Sequence, residues 1–190
     1  MPKVLPDALQ KNRLIIEETL QTSNEETFSP KNMQIQLLKN CPETIPTLAN
    51  WIYQEWHPYD SSLTKQKLIT GFGKRLNDDR IPLAVVVLKE GLPIGTISLK
   101  ENEDPEFANF AVGNPWLGSF QITEAERNKG LGTDLLKMAK TLAIGLGYKN
   151  IFLYTSNPAN LEWFSEHGVH LIETRPFRNH EITIMQIHLS

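Results

Sequence analysis

Phe120-Gln121-Ile122-Thr123-Glu124-Ala125-Glu126-Arg127-Asn128-Lys129-Gly130-Leu131-Gly132-Thr133 is the stretch on which the fold turns. It reads as the end of a strand, a short polar loop, and two glycines opening a helix of apolar period over residues 130–146. The first amides of a helix have no partners within it and lie at the positive end of its dipole. An anion seated there receives several N–H donors at once. Gly130 and Gly132 carry no Cβ, so backbone can approach an anion closely and take a positive φ. Arg127 and Lys129 add positive charge, and Thr133 adds a hydroxyl. Arg-x-x-Gly-x-Gly arises by chance in about one chain in ten or twenty of this length. On the hexapeptide alone, a purely structural glycine turn is equally open. No Gly-Lys-Ser/Thr follows the glycines, and Leu135 stands where a dinucleotide fingerprint needs its third glycine, so neither nucleotide motif is present.

Working outward, residues 33–38 alternate apolar and polar as a half-buried strand does, and Pro42 ends them. Residues 43–56 place Ile45, Leu48, Ala49, Ile52 and Trp56 at helical spacing; His57-Pro58-Tyr59-Asp60 breaks that helix, and a second is predicted over 62–76. Residues 83–88 are almost wholly apolar, as in a central strand, and Lys89-Glu90-Gly91-Leu92-Pro93 turns the chain into a strand over 94–100. A long polar loop, 101–115, carries Glu101, Glu103 and Asp104 and leads to a strand over 116–122. Beyond the glycine helix, Gly147 suits a left-handed cap, followed by a strand over 151–155. Asn157 caps a helix over 158–167, and residues 169–175 and 181–189 form a closing antiparallel pair. The order β-α-α-β-β-β-α-β-α-β-β predicts an α+β fold, a mixed and largely antiparallel sheet with helices on its faces.

Residues 1–30 stand apart. Asp7 can cap a helix whose Leu9, Arg13, Ile16 and Leu20 share a face, and residues 21–30 read as a polar linker. The expected division is a helical extension and linker over 1–30 and one domain over 31–190. Docking of the extension on its own domain is the simpler expectation; docking on a second copy stays open.

Composition narrows the function. Of 190 residues, 19 are basic and 22 acidic, a net charge of −3, which leaves no basic excess to neutralise a nucleic acid or an anionic membrane. A small anionic ligand held by local donors remains open. One cysteine, Cys41, excludes an internal disulfide, and no Cys/His zinc spacing occurs. Without a signal-like segment or an apolar run of membrane length, the expectation is a cytoplasmic protein with no metal.

The strand–loop–helix around Arg127–Gly132 resembles the acetyl-CoA loop of the GNAT superfamily of N-acetyltransferases. The resemblance runs from about residue 33 to 189. It is most specific in three places: Pro115-Trp116-Leu117 leading into the glycine loop, Asn157-Pro158-Ala159-Asn160-Leu161-Glu162-Trp163-Phe164, and the closing strand pair, whose ending is similar to that of one bacterial subgroup. The resemblance implies acetyl-CoA as acyl donor. Backbone groups of Phe120, Gln121 and Ile122 would pair with its pantetheine arm. The segment Arg127, Asn128, Lys129, Gly130, Leu131, Gly132 and Thr133 would hold the pyrophosphate, and Asn157 would contact the arm, a helix cap being the equal alternative for it.

The implied reaction is direct attack by a primary amine of a small molecule or peptide on the thioester. A carboxylate or histidine must take the amine's proton, and a free amide of the strand over 119–122 can face the oxyanion. Glu101 is the first candidate base, with Glu103 and Asp104 as rivals; for each, a solvated acidic loop is the plain alternative. Phe164 stands where the family has a tyrosine that protonates the leaving thiolate, so Tyr154 is the candidate acid, against the plainer reading of an aromatic packed in the sheet. Trp51, Trp56, Trp116 and His57 are open between acceptor pocket and ordinary packing. A degenerate acyl-CoA sensor or an interaction module is the alternative function, and a homodimer through the closing strands or the N-terminal helix is left open.

Overall fold

The computed structural model describes residues 7–102, 104–107 and 109–190. Its elements run α1 (Asp7–Ser23), β1 (Gln34–Leu37), α2 (Ile45–Trp56), α3 (Lys65–Gly73), β2 (Leu83–Lys89), β3 (Leu92–Lys100), β4 (Trp116–Ile122), α4 (Leu131–Gly145), β5 (Asn150–Thr155), α5 (Pro158–Glu166), β6 (His170–Phe177) and β7 (His180–His188). They build one seven-stranded sheet in the order β1-β2-β3-β4-β5-β7-β6. Every neighbouring pair is antiparallel except β4 and β5, which run parallel.

Both faces of the sheet are covered, which is why β2 is apolar throughout. Val85 and Val87 point into a cluster with Leu135, Leu136 and Ala139 of α4. Ala84, Val86 and Leu88 point the other way, against Leu48, Ile52 and Phe72 of α2 and α3. A third cluster under β5, β6 and β7 joins Phe107, Trp116, Phe177, Ile182 and Ile184. There the loop after β3 supplies the cover that a helix would.

Local chemistry moves several boundaries. Helix α3 begins at Lys65, not 62, because the Thr64 hydroxyl accepts the Lys67 amide at 3.1 Å, while Ser62 is held in a turn by Asp60. Glu90 and Gly91, both at positive φ, make a tight hairpin turn, so β3 starts at Leu92. A register slip between Val87 and Leu88 lets Pro93 join that strand.

The stretch expected to be a polar linker, 21–30, is folded. Helix α1 runs on to Ser23, a wide turn follows over Asn24–Phe28, and Phe28 is buried in the same cluster as Ile16 and Leu20. The Asn24 side chain bonds both the N–H and the C=O of Ile35 at 2.8 Å, satisfying the outer edge of β1.

Candidate active site

The sheet is parted in its middle. Strands β4 and β5 pair only at Trp116 and Phe152, and beyond that point they diverge. The opening is a cleft of about 880 Å³ that reaches from the start of α4 to the β6–β7 turn. The residues of β4 facing it, Gly118 to Ile122, present one backbone edge without a strand partner.

One end of the cleft is built for an anion. Gly130, at φ +85, caps α4 without any side-chain hydrogen bond to the first turn. The first closed bond of the helix runs from Asp134 N–H to Gly130 C=O, so the amides of Leu131, Gly132 and Thr133 stay free for a ligand. Nothing lies within 4 Å of where a Gly130 Cβ would sit, whereas one at Gly132 would come to 3.3 Å from Trp163. The open space at Gly130 and the orphaned donors behind it fit a diphosphate. The Arg127 guanidinium donates to Ile122 C=O at 3.1 Å, which fixes it beside the cleft. The Thr133 hydroxyl meets His167 Nε2 at 2.9 Å, and His167 Nδ1 donates to the Trp163 carbonyl at 2.8 Å, which sets the ring against the start of α4.

The opposite end is aromatic and carries charges of both signs. Tyr154 packs edge-on to Trp56, with ring centroids 5.9 Å apart, and 5.6 Å from Phe177. His180 lies 5.3 Å from Tyr59, and among the described residues neither of its buried ring nitrogens finds a hydrogen-bond partner. Arg178, in the β6–β7 turn, bridges Asp60 and Asp104, the latter at 2.6 Å. Hydrogen bonds from Ser62 hold the Asp60 carboxyl below the ordinary carboxylate range, helped by the charge of Arg178. Glu55 on α2 behaves oppositely. Its side chain is open to the cleft, yet desolvation by the surrounding protein raises its pKa, and Arg127 only partly opposes this.

Of the residues singled out in the sequence, Phe120, Gln121, Ile122, Arg127, Asn128, Gly130, Gly132, Thr133, Tyr154 and Asn157 converge on this one cleft. Three do not. Leu131 is buried in the core and offers only its amide, and the Lys129 amine reaches back to Glu126 at 3.4 Å. Glu101 is exposed, does not line the cleft, and acts on Tyr148, whose phenol is pushed up by desolvation and then by the Glu101 charge. Alternation along the chain explains this, since Lys100 faces the cleft and its successor points away. Asp104, its rival, does reach the cleft; Glu103 lies outside the described residues. Asn157 caps α5, accepting the Ala159 amide at 2.9 Å, and lines the cleft as well. Trp56 lines it too, Trp116 is core, and His57 stacks on Tyr53.

Asp60, Arg178, His180, Glu55 and Arg75 were not found from sequence. Only Arg75 left a trace there, a cation on the same helical stripe as Leu68 and Phe72.

A seven-stranded mixed sheet with helices on both faces is the fold this chain shares with solved acyl-CoA N-acyltransferases of the GNAT type. The chain belongs to the acetyltransferase (GNAT) family, whose model matches residues 43–169. Members of this family transfer acetyl groups from acetyl-CoA. Among solved structures, a GNAT-family acetyltransferase from Streptococcus pneumoniae is similar at a TM-score of 0.61 and 16% identity, over 83% of this chain and 99% of that one. YncA from Salmonella typhimurium, solved with its cofactor acetyl-CoA, is similar at 0.61 and 16%, over 84% and 95%. Ard1 from Thermoplasma volcanium is similar at 0.61 and 14%, over 84% and 99%. At these identities the likeness concerns the fold. No curated protein matches the chain significantly. Among the described residues, no helix is long and apolar enough to cross a membrane.

Proposed function

We propose that this protein transfers an acetyl group from acetyl-CoA to a primary amine of a small molecule or peptide by direct attack on the thioester. The parting of β4 and β5 beside the free amides of α4 carries the reading. The pantetheine arm would lie along the unpaired edge of Phe120–Ile122 as an added strand, and the pyrophosphate would sit on the amides of residues 131–133. The amine would enter from the Trp56 and His180 end, beside the Asp60–Arg178–Asp104 cluster.

Glu55 is the proposed base. An amine held as ammonium must lose a proton before attack, and a carboxyl with a raised pKa accepts one more readily than Asp60, which Ser62 and Arg178 keep ionised. A free amide of β4 would face the oxygen on which charge develops. The leaving thiolate comes from a thiol of pKa about 8.5, and Tyr154 is the proposed proton source.

Phe164 supports a second reading, a module that binds acyl-CoA without turnover. It is buried at 6% exposure, packs on Phe120 and Trp163, and lines the cleft with no proton to give. The first test is calorimetric titration with acetyl-CoA, beside Gly130→Glu. That substitution forces a side chain onto φ +85 and puts a carboxylate where the pyrophosphate would sit. Binding lost in the variant supports the cleft assignment; no binding by the unaltered protein sinks both readings. Thiol release across an amine panel then separates them. In an active enzyme, Phe164→Tyr should raise turnover several-fold with the acetyl-CoA KM little changed, whereas binding with no release in either form favours the sensor.

A further inference from the structure

Strand β4 carries an irregularity at the point where it leaves β5. Thr96 pairs with Gln121 and Ser98 with Gly118, so Ser119 and Phe120 together stand opposite Ile97 alone. This is a β-bulge, and Ser119 takes φ +48, left-handed geometry that a non-glycine residue avoids unless its surroundings enforce it. A bulge re-aims a peptide group. Here it re-aims one on the edge that borders the cleft.

The enforcing group is Arg75. It follows α3, is only 9% exposed, and also lines the cleft. Its Nη1 donates to Ser119 Oγ at 2.7 Å and to Ser98 Oγ at 3.0 Å, gripping both strands that flank the bulge. The guanidinium lies over the Phe72 ring, its central carbon 4.5 Å from the centroid, so its plane is set by packing beneath it. A buried, always-charged group with two serine hydroxyls as partners does more than fill space. It fixes one conformation of the loop-like segment and holds a positive charge behind it.

We propose that Arg75 is a positioning residue for acetyl transfer, locking the Ser119 bulge so that a β4 amide faces the thioester carbonyl. The proposal rests on the acetyl-CoA reading above. The fixed charge behind the bulge adds to the field that the carbonyl oxygen meets, where preorganised donors act most strongly. Lysine could supply the charge and donate to a hydroxyl, but lacks the flat guanidinium that lies over Phe72.

The test is infrared difference spectroscopy of bound [1-13C]acetyl-CoA, with Kd values for acetyl-CoA and CoA measured side by side. In the unaltered protein the thioester carbonyl band should shift to lower frequency, and acetyl-CoA should bind more tightly than CoA. Arg75→Met should keep CoA affinity within about threefold while losing the band shift and the preference for the acetyl form. Arg75→Lys should recover part of the shift. Ser119→Ala, which removes one hydroxyl and disturbs folding least, should show a partial loss; combined with Arg75→Met it should add nothing, because both act through one contact. If Arg75→Met does not fold, Ser119→Ala alone decides. A shift retained in the variants overturns the proposal, as does acetyl-CoA bound by the unaltered protein with its carbonyl unperturbed. Absence of any acetyl-CoA binding instead overturns the underlying reading.

Discussion

Glu55 is the residue whose ionisation the cleft alters in the direction a base requires. Desolvation raises its pKa and Arg127 only partly offsets that, so its proton is lost above the ordinary glutamate value of about 4.3. The rate should therefore fall as pH drops through this raised pKa. Glu55→Gln should remove that acidic limb and slow turnover by about 10²–10⁴-fold, the usual contribution of a general base. The same shift fixes the sign for stability. A carboxyl whose folded pKa is raised favours the folded state below the unfolded pKa and loses that contribution as pH rises through the folded one. Glu55→Gln should thus be neutral or stabilising at pH 7, with the gain fading as pH falls through the raised pKa and gone below about pH 4; paired thermal melts check it. An unchanged pH–rate profile would remove Glu55 from the mechanism. Sequence could not single this residue out, because on a helix predicted over 43–56 it is one more polar position. Asp104 was legible as part of an acidic loop; the outward turn of Glu101 was not, since it depends on the parity of β3 at its end.

At the scale of elements, the order and type of the domain's helices and strands were legible because their apolar periods are strong, from the continuous run of β2 to the stripe of α2. What could not be read was partnership: that β4 and β5 meet at one residue pair, or that α1 lies on α4. The α1–α4 contact is close. A Cβ on Gly145 would come within 2.4 Å of Ile15 Cγ2, and Ile16 is wholly buried in the cluster shared with α4. The N-terminal helix therefore behaves energetically as part of the core. Ile16→Ala should cost about 2–5 kcal/mol, the range for a fully buried aliphatic truncation, seen as a fall in the urea midpoint at unchanged m. Gly145→Ala should destabilise too, because the atom it meets is the Cγ2 of a β-branched residue within α1 and clears only if the two helices move apart. If instead Ile16→Ala lowers stability by under about 0.5 kcal/mol, the range of a surface substitution, residues 1–30 are an appendage as the composition shift suggested.

The whole molecule is a sheet left incomplete at one seam. β1 to β4 form one antiparallel block and β5 to β7 another; between them, the sheet itself contributes only the Trp116–Phe152 pairing, backed by the amide of Phe152 on Pro115 C=O at 2.9 Å. Further hold comes from α4, whose apolar face packs against residues of both blocks, Val85 and Leu117 on one side and Ile151 and Leu153 on the other, and from the cluster that joins Trp116 to Phe177, Ile182 and Ile184. A ligand lying along the β4 edge would supply the missing partner for that seam. Binding only the folded state at 100 times its Kd, acetyl-CoA should add about 2.7 kcal/mol of stability. For a chain of this size that raises Tm by about 5–10 °C. Where the protection appears is the sharper observable. Amides along residues 117–122 that face the parting, and those of 131–133 at the start of α4, exchange from the open cleft in the free protein. Hydrogen–deuterium exchange should slow at these two segments when acetyl-CoA binds, while β2 and β7, already paired on both sides, stay unchanged. Gly130→Glu should abolish both effects together. Slowing at 131–133 without slowing along β4 would mean the anion seat binds phosphate while the seam stays open, and the added-strand account of the pantetheine arm would be wrong.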